Sequence, residues 1–192
     1  GSWTLNSAEY YFEGGSSSFR SLKITGDVDT KKYAGQVVTV KSAKSTRETF
    51  KLSGWAKGYA VPTHDGAEEN PTFRLRAVVN YADGTTNETP ITADFCPYTS
   101  DWQYTSVEFA KEAFKEVTNV EVFCDYDYNY GDAYFDDIEL IRTQIETGLK
   151  EEDFAVEEDY TDESGTTTED NQNQAEETEE FNAFNELVDA FG

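Results

Sequence analysis

Short alternating segments, each closed by turn-forming residues, constrain the fold of this chain more than any other sequence feature. In the first 145 residues, seven segments rich in β-branched and aromatic residues show a period of two. Glycine, aspartate and asparagine separate them, as at Asp83-Gly84 and at 130–132. Seven or eight short strands predict an all-β sandwich or barrel. The predicted strands are 20–25, 36–41, 50–57, 72–81, 105–109, 117–126 and 133–141.

The chain changes character after Thr147. Residues 151–192 hold 16 of the 39 acidic residues and no Lys or Arg. Such a composition buries too little apolar surface to offset the entropy of ordering. We therefore predict a folded domain over 1–147 and a disordered acidic linker over 148–180. Residues 181–192 carry apolar side chains at helical spacing and are interpreted as the start of a downstream module, with a partner-docking helix as the alternative.

Charge and composition exclude several kinds of partner. The net charge of −24 repels phosphate backbones, so no nucleic acid is expected. No apolar run approaches the roughly 18 residues that a membrane-spanning helix needs, so no membrane insertion is expected. The absence of Met and the abundance of Tyr, Thr and Asn are typical of an extracellular bacterial domain. Cys96 and Cys124 allow at most one disulfide, and two buried free thiols are the favoured interpretation.

Catalytic motifs are not recognisable in the sequence. His64 is the only histidine, and no serine lies in a nucleophile-elbow pattern, so a hydrolytic triad lacks its parts. One histidine and two distant cysteines do not make a usual zinc site. Carboxylates are abundant, so a glycosidase that uses two of them stays open as an alternative. The favoured prediction is that the chain is not an enzyme.

Three sequence pieces carry a family resemblance. Phe50–Lys57 reads F-K-L-S-G-W-A-K, Trp102-Gln103 follows, and Gly131–Leu140 reads G-D-A-Y-F-D-D-I-E-L. In this order they resemble the jelly-roll carbohydrate-binding modules of bacterial surface proteins. They look most like the domain that precedes YD repeats in large Rhs-type wall-associated proteins of Gram-positive bacteria, and residues 182–192 resemble the start of such repeats.

That resemblance, which covers residues 3 to about 143 and the short C-terminal patch, implies both fold and function. The implied fold is a jelly-roll sandwich of two antiparallel sheets. The implied role is non-catalytic carbohydrate binding or adhesion, in a large secreted or wall-associated protein. Its partners would be a polysaccharide or cell-surface glycan and the neighbouring modules of the same polypeptide. A purely structural spacer domain is the alternative that the sequence leaves open.

Strand parity predicts where a glycan would bind. In three strands alternate residues are apolar and face the core, which leaves a mixed set on the other side. Aromatic rings stack on the faces of sugar rings, and planar polar groups bind the hydroxyls. We expect one binding surface made of Trp55, Lys57, Arg74, Arg76, Asn80, Phe123, Asp125 and Asp127. The structural alternatives are a Trp55 packed under a loop and an Arg74–Asp125 ion pair across strands.

A second possible sugar site lies at the end of the sandwich. Tyr126, Tyr128 and Tyr130 alternate with polar residues and lead into a turn. Exposed tyrosines there would offer rings to a sugar. The alternative interpretation is an ordinary tyrosine-rich hairpin.

Two consecutive acids in the last predicted strand point to a metal. Asp136 and Asp137 should face opposite ways, so one carboxylate needs a compensating partner. In the resembling modules an aspartate of the last strand holds a structural calcium ion together with an early loop. The resemblance therefore implies a Ca²⁺ site formed by Glu13, Asp136 and Asp137, with carbonyls of Gly14-Gly15. An aspartate paired with backbone or with Arg20 is the alternative.

Overall fold

The computed structural model describes residues 3–6, 8–11, 15–17, 20–58, 71–97 and 99–154. These residues form an all-β sandwich of two antiparallel sheets, which confirms the predicted fold class. No helix among them is long and apolar enough to cross a membrane. The strands are β1 Ala8–Tyr11, β2 Ser21–Thr25, β3 Tyr33–Thr39, β4 Arg47–Gly58, β5 Arg74–Tyr81, β6 Ile91–Asp94, β7 Gln103–Ala110, β8 Val117–Asp125 and β9 Asp132–Glu146.

Most consecutive strands lie in different sheets, and among the described strands only β1–β2 and β5–β6 are neighbours both in sequence and within one sheet. The five-stranded sheet runs β1-β2-β9-β4-β7, and the four-stranded sheet runs β3-β8-β5-β6. The long strands β4 and β9 pair along almost their whole length, from Arg47 opposite Glu146 to Gly58 opposite Ala133. β4 and β5 therefore belong to different layers of the sandwich.

The inner faces follow the predicted parity. Leu52 and Ala56 of β4, Leu75 of β5 and Val120 and Cys124 of β8 are all fully buried between the sheets. Apolar burial of this kind is the main favourable term in folding. β1 and β6 escaped prediction because four residues are too few to establish a period of two.

The sandwich continues past the predicted boundary at Thr147. A 3₁₀ helix spans Glu151–Phe154, and the Phe154 ring lies 5.4 Å from the Arg47 guanidinium and 5.9 Å from the Phe114 ring. Arg47 also donates a hydrogen bond of 2.9 Å from Nη2 to the Asp153 carbonyl. Residues 149–154 are therefore part of the folded unit and not of a linker, and that unit is Gly1–Val156. The remaining predicted linker and the segment 181–192 lie outside the described residues.

The two thiols have different surroundings. Cys124 is buried in β8, and burial raises the pKa of its thiol well above the usual value. Cys96 is exposed, because it follows the end of β6. The prediction of buried free thiols is confirmed for Cys124, whereas Cys96 is free as predicted but exposed instead of buried.

Candidate functional site

The predicted binding surface is divided between the two outer faces of the sandwich. Trp55 and Lys57 lie on β4 in the five-stranded sheet. The other members lie on or beside β5 and β8 in the four-stranded sheet: Arg74, Arg76, Asn80, Phe123, Asp125 and Asp127. The sheets pack through their inner faces, so their outer faces point in opposite directions. The prediction of one continuous surface is therefore wrong, because parity says which way a side chain points but not which sheet holds its strand.

Five aromatic side chains gather on the outer side of the five-stranded sheet, and we call this the aromatic face. Trp55 lies opposite Tyr104 of β7, and their ring centroids are 5.5 Å apart with a 58° tilt. The Tyr11 and Tyr134 rings meet edge to face at 5.1 Å. Trp55 is half-buried, whereas Tyr104 is 48% exposed. The members of the aromatic face are Tyr11, Trp55, Trp102, Tyr104 and Tyr134.

Lysines lie among these rings. Lys57 Nζ is 5.1 Å from the ring centroids of both Trp102 and Tyr134. Lys51 Nζ lies 5.8 Å from the Tyr104 centroid. At such distances an ammonium is attracted to the face of a ring. The aromatic face thus combines flat apolar surface with N–H donors, which is the combination that a saccharide site needs.

Polar neighbours tune the two ends of the aromatic face. Hydrogen bonding by Ser53, with the charge of Lys51 nearby, lowers the pKa of Tyr104. At the other end Lys23 Nζ forms ion pairs with Glu9 at 3.6 Å and Asp132 at 3.4 Å. Burial alone would lower the pKa of Lys23, but its interactions with Asp132 outweigh burial and raise it.

The outer side of the four-stranded sheet holds a polar network whose members bind one another. Asp125 is 2% exposed and accepts hydrogen bonds from Arg76 Nε at 2.6 Å and Nη2 at 3.0 Å. Arg74 Nε lies 3.4 Å from the same carboxylate, as the ion-pair alternative predicted. The Arg76 guanidinium covers the Phe123 ring at 4.0 Å, and Asn80 donates to Asn119 at 2.8 Å. A ligand role for this network stays a prediction.

The tyrosine-rich turn after β8 is partly structural. Tyr126 is fully buried and donates a 2.6 Å hydrogen bond to the Tyr130 carbonyl, so its prediction as a ligand contact is wrong. Asp127 accepts hydrogen bonds from the Lys32 amide at 3.1 Å and Thr72 Oγ1 at 3.0 Å. Tyr130 is 50% exposed and Tyr128 is half-buried, so these two remain accessible.

The early loop and the last strand meet where a metal was predicted. Asp136 Oδ2 accepts hydrogen bonds from the Ser16 amide at 2.8 Å and Ser16 Oγ at 3.2 Å. Asp137 Oδ2 accepts hydrogen bonds from Ser16 Oγ at 3.1 Å and from Ser17 Oγ. Glu13 and Gly14 lie outside the described residues. Within the described part of the chain, no three Asp, Glu, His or Cys side chains cluster as a metal site would require.

A β-bulge brings both carboxylates to the same loop. Ser53 pairs with Glu139 whereas Trp55 pairs with Asp136, so an extra residue of β9 lies between them. Asp137 has a φ of 50°, in the left-handed region that few residues other than glycine adopt. The expectation that adjacent acids face opposite ways is therefore wrong at this point, because it holds only for regular strands.

Parity applied to more strands would have found part of the aromatic face. Tyr134 lies between the buried residues Ala133 and Phe135, and so must point outward. Tyr104 likewise lies outward on β7, in register with Trp55. Strand parity did place Lys51 beside Trp55, whereas sequence reasoning missed five members of this site: Tyr11, Lys23, Trp102, Tyr104 and Tyr134.

Comparisons with known proteins show the fold. No protein-family model and no curated protein matches this chain significantly. The family 22 carbohydrate-binding and GH10 modules of Clostridium thermocellum xylanase 10B, solved with xylohexaose, match 74% of this chain and 26% of that chain, with 14% identity and a TM-score of 0.50. The enzymatically active domain of tailspike protein 4 of bacteriophage CBA120 matches 73% of this chain and 19% of that chain, with 12% identity and a TM-score of 0.52.

These matches cover much less than two thirds of either solved chain. At 12–14% identity they show a shared sandwich and nothing more. A family 16 carbohydrate-binding module also matches, at 21% identity over 72% of this chain and 89% of its own, with a TM-score of 0.49. The chain is similar in fold to part of a solved xylanase and to part of a solved phage tailspike protein.

Proposed function

We propose that this chain is a non-catalytic carbohydrate-binding module and that the aromatic face is its binding site. The observation that carries the proposal is the gathering of five aromatic rings and Lys57 on one outer face. The similarity to the xylanase fragment supports the proposal, because its title names a carbohydrate-binding module and a bound xylohexaose.

Each part of the aromatic face has a chemical role in this proposal. The Trp55–Tyr104 pair offers a half-exposed ring surface on which the C–H face of a sugar stacks. Lys51, Lys57 and the Tyr104 hydroxyl supply hydrogen-bonding groups for sugar oxygens. Asp136 and Asp137 are bonded to the 15–17 loop, which gives them a positioning role instead of a catalytic one.

Two matched variants test the site. In a glycan array followed by titration calorimetry, Trp55→Ala should weaken binding by about tenfold or more, equivalent to about 1.4 kcal/mol. Phe123→Ala removes a ring from the opposite outer face and should leave the affinity unchanged. Melting curves verify that both variants fold. Because Trp55 is half-buried, Trp55→Ala should lower the free energy of unfolding by less than the loss of about 3–5 kcal/mol seen for a core tryptophan.

The outcomes separate the alternatives. Unchanged affinity in Trp55→Ala would move the site away from the aromatic face. A native protein that retains no glycan would favour the spacer interpretation. Turnover of a labelled polysaccharide would favour the alternative that the chain is a glycosidase.

We propose that the module belongs to a larger secreted or wall-associated bacterial protein of the Rhs and YD-repeat kind. The support is the resemblance of residues 131–140 and 182–192 to that family. An antibody raised against residues 20–154 should label intact cells of the source organism. Labelling only after the cells are lysed would contradict the proposed location.

We also propose a structural Ca²⁺ beside the bulge. Ser16 Oγ bridges the Asp136 and Asp137 carboxylates and Ser17 Oγ also bonds to Asp137, so oxygen atoms of four side chains lie together, and oxygen is the ligand that Ca²⁺ takes. The Ser16 amide also faces Asp136, so the loop holds this carboxylate without an ion. The donor set fits the ion, with Glu13 as the further expected ligand.

Thermal melting tests the ion directly. An ion bound only by the folded state stabilises it by about 2.7 kcal/mol at a hundredfold excess over its dissociation constant. Excess EDTA should therefore lower the melting temperature of the native chain. Asp137→Asn should remove that response, whereas Asp101→Asn, on an exposed turn, should keep it. Identical native melting curves with Ca²⁺ and with EDTA would contradict the site.

A further inference from the structure

Lys57 is a cation of the aromatic face that forms no ion pair with any residue the structure describes. Its Nζ lies between the Trp102 and Tyr134 rings, 5.1 Å from each centroid. Among the described residues, no Asp or Glu oxygen lies within 4.0 Å of it, and no protein group accepts a hydrogen bond from it. An ammonium carries three N–H donors, so these remain for a ligand.

The nearby acids on β9 are bonded to groups other than Lys57. Asp132 is ion-paired with Lys23 at 3.4 Å. Asp136 accepts the Ser16 amide at Oδ2 and the Asp137 amide at Oδ1. Directly opposite Lys57 the strand register places Tyr134, not an acid.

Two further acids of this sheet face are distant from Lys57. Glu139 pairs with Ser53 and Glu108 pairs with Lys51, so they lie four and six residues along β4 from Lys57. At about 3.3 Å per residue these offsets are about 13 and 20 Å. Both exceed the screening length of about 8 Å at physiological salt.

A sugar that stacks between Trp102 and Tyr134 would remove water from this ammonium. A neutral sugar would leave the charge poorly compensated, which is costly in a drier environment. A carboxylate on the sugar would instead form a charge-assisted hydrogen bond, roughly twice as strong as a neutral one. Resting on the proposed function, we infer that the aromatic face binds an acidic polysaccharide and that Lys57 receives the carboxylate of a uronic acid.

Matched ligands isolate the charge. An array of uronic-acid oligosaccharides and their methyl esters presents the same sugars with and without the carboxylate. Calorimetry on the full chain then measures the best-bound pair. The acid should bind about tenfold more tightly than its ester, and added salt should reduce that ratio, as expected for a screened charge pair.

Protein variants assign the charge to Lys57. Lys57→Gln should bring the ratio of the affinities for the acid and for its ester close to one, and Lys57→Arg should keep the native ratio. Lys44→Gln, which removes an exposed lysine in the turn before β4 and away from the aromatic face, should leave it unchanged. Melting curves of all three variants verify folding.

The inference and the proposed function fail differently. Equal or tighter binding of the esters, or an unchanged ratio in Lys57→Gln, would overturn the inference while glycan binding stands. An array on which the native chain retains no glycan, acidic or neutral, would overturn both.

Discussion

Arg76 holds Asp125 through two nitrogen atoms, Nε at 2.6 Å and Nη2 at 3.0 Å, on the outer side of the four-stranded sheet. Bidentate geometry of this kind is the strong form of an arginine–carboxylate contact. Partial burial alone would lower the pKa of Arg76, but the hydrogen bond and charge of Asp125 raise it. The pair therefore joins β5 to β8 at a point where the carboxylate has almost no contact with water.

Removing this carboxylate should destabilise the fold and leave glycan binding intact. Asp125→Ala leaves the guanidinium groups of Arg74 and Arg76 facing each other without their anion, and we expect a loss of about 3 kcal/mol. Urea denaturation measures the loss, and calorimetry measures the unchanged affinity. A loss below about 1 kcal/mol would mean that hydration of the two guanidinium groups compensates for the lost ion pairs with Asp125.

The Tyr126 hydroxyl should matter for stability and for alkaline unfolding. Tyr126→Phe deletes only the bond to the Tyr130 carbonyl and should cost about 1 kcal/mol. Burial raises the pKa of Tyr126 to about 12, above the ordinary value of 10.0. The folded state thus keeps a proton that the unfolded chain releases, so this contribution is intact below pH 10 and is lost as the pH rises through 12. Native and variant chains should converge in stability over that interval.

Asp127 should make the fold more stable at mildly acidic pH than at neutral pH. Burial, and then the charge of Asp125, raise its pKa above the ordinary 3.8, although Thr72 and the Lys32 amide oppose this. As the pH falls, Asp127 therefore takes up its proton in the native state before it does so in the unfolded chain. The free energy of unfolding rises as the pH falls from the raised pKa of the native state toward 3.8. Asp127→Asn should be more stable than the native chain at neutral pH, and this difference in stability should vanish below pH 3.8.

An exposed control isolates this effect. Asp101→Asn removes an exposed carboxylate and retains Asp127, so its stability should keep the pH dependence of the native chain. Urea denaturation across the acidic range measures all three proteins. An equal dependence on pH in the native chain and Asp127→Asn would contradict the assignment.

The contacts of Phe154 predict where a protease can cut. Limited digestion should give a stable fragment that ends beyond residue 154, because Arg47 and Phe114 hold this aromatic ring. Phe154→Ala should move the cut toward Thr147. Mass spectrometry of the fragments measures both ends. Cleavage near Thr147 in the native chain would show that the 3₁₀ helix is not held.

Sequence patterns predicted which way most strand residues point, but not which strands lie together. Leu52, Leu75 and Val122 alternate with outward residues because each strand has one inner face, and that is a local property. The Trp55–Tyr104 contact depends on β4 pairing with β7, which the long-range register decides.

Asp137 illustrates the second limit. Its left-handed backbone and the bulge beside Gly54 depend on how β9 fits β4, and no residue pattern within β9 indicates them. A Cβ at Gly54 would overlap the Ile138 side chain, so the glycine makes room for this irregular stretch.

β4 carries the Phe154 contact at one end and Lys57 at the other. Ten residues separate Arg47 from Lys57, which is about 33 Å of extended strand. If a glycan is held near Lys57 and the polypeptide continues past Phe154, tension between them runs along β4. The hydrogen bonds to β7 and β9 would then be loaded in shear, many at once, instead of being peeled apart singly. Single-molecule force spectroscopy would register this geometry as a high rupture force.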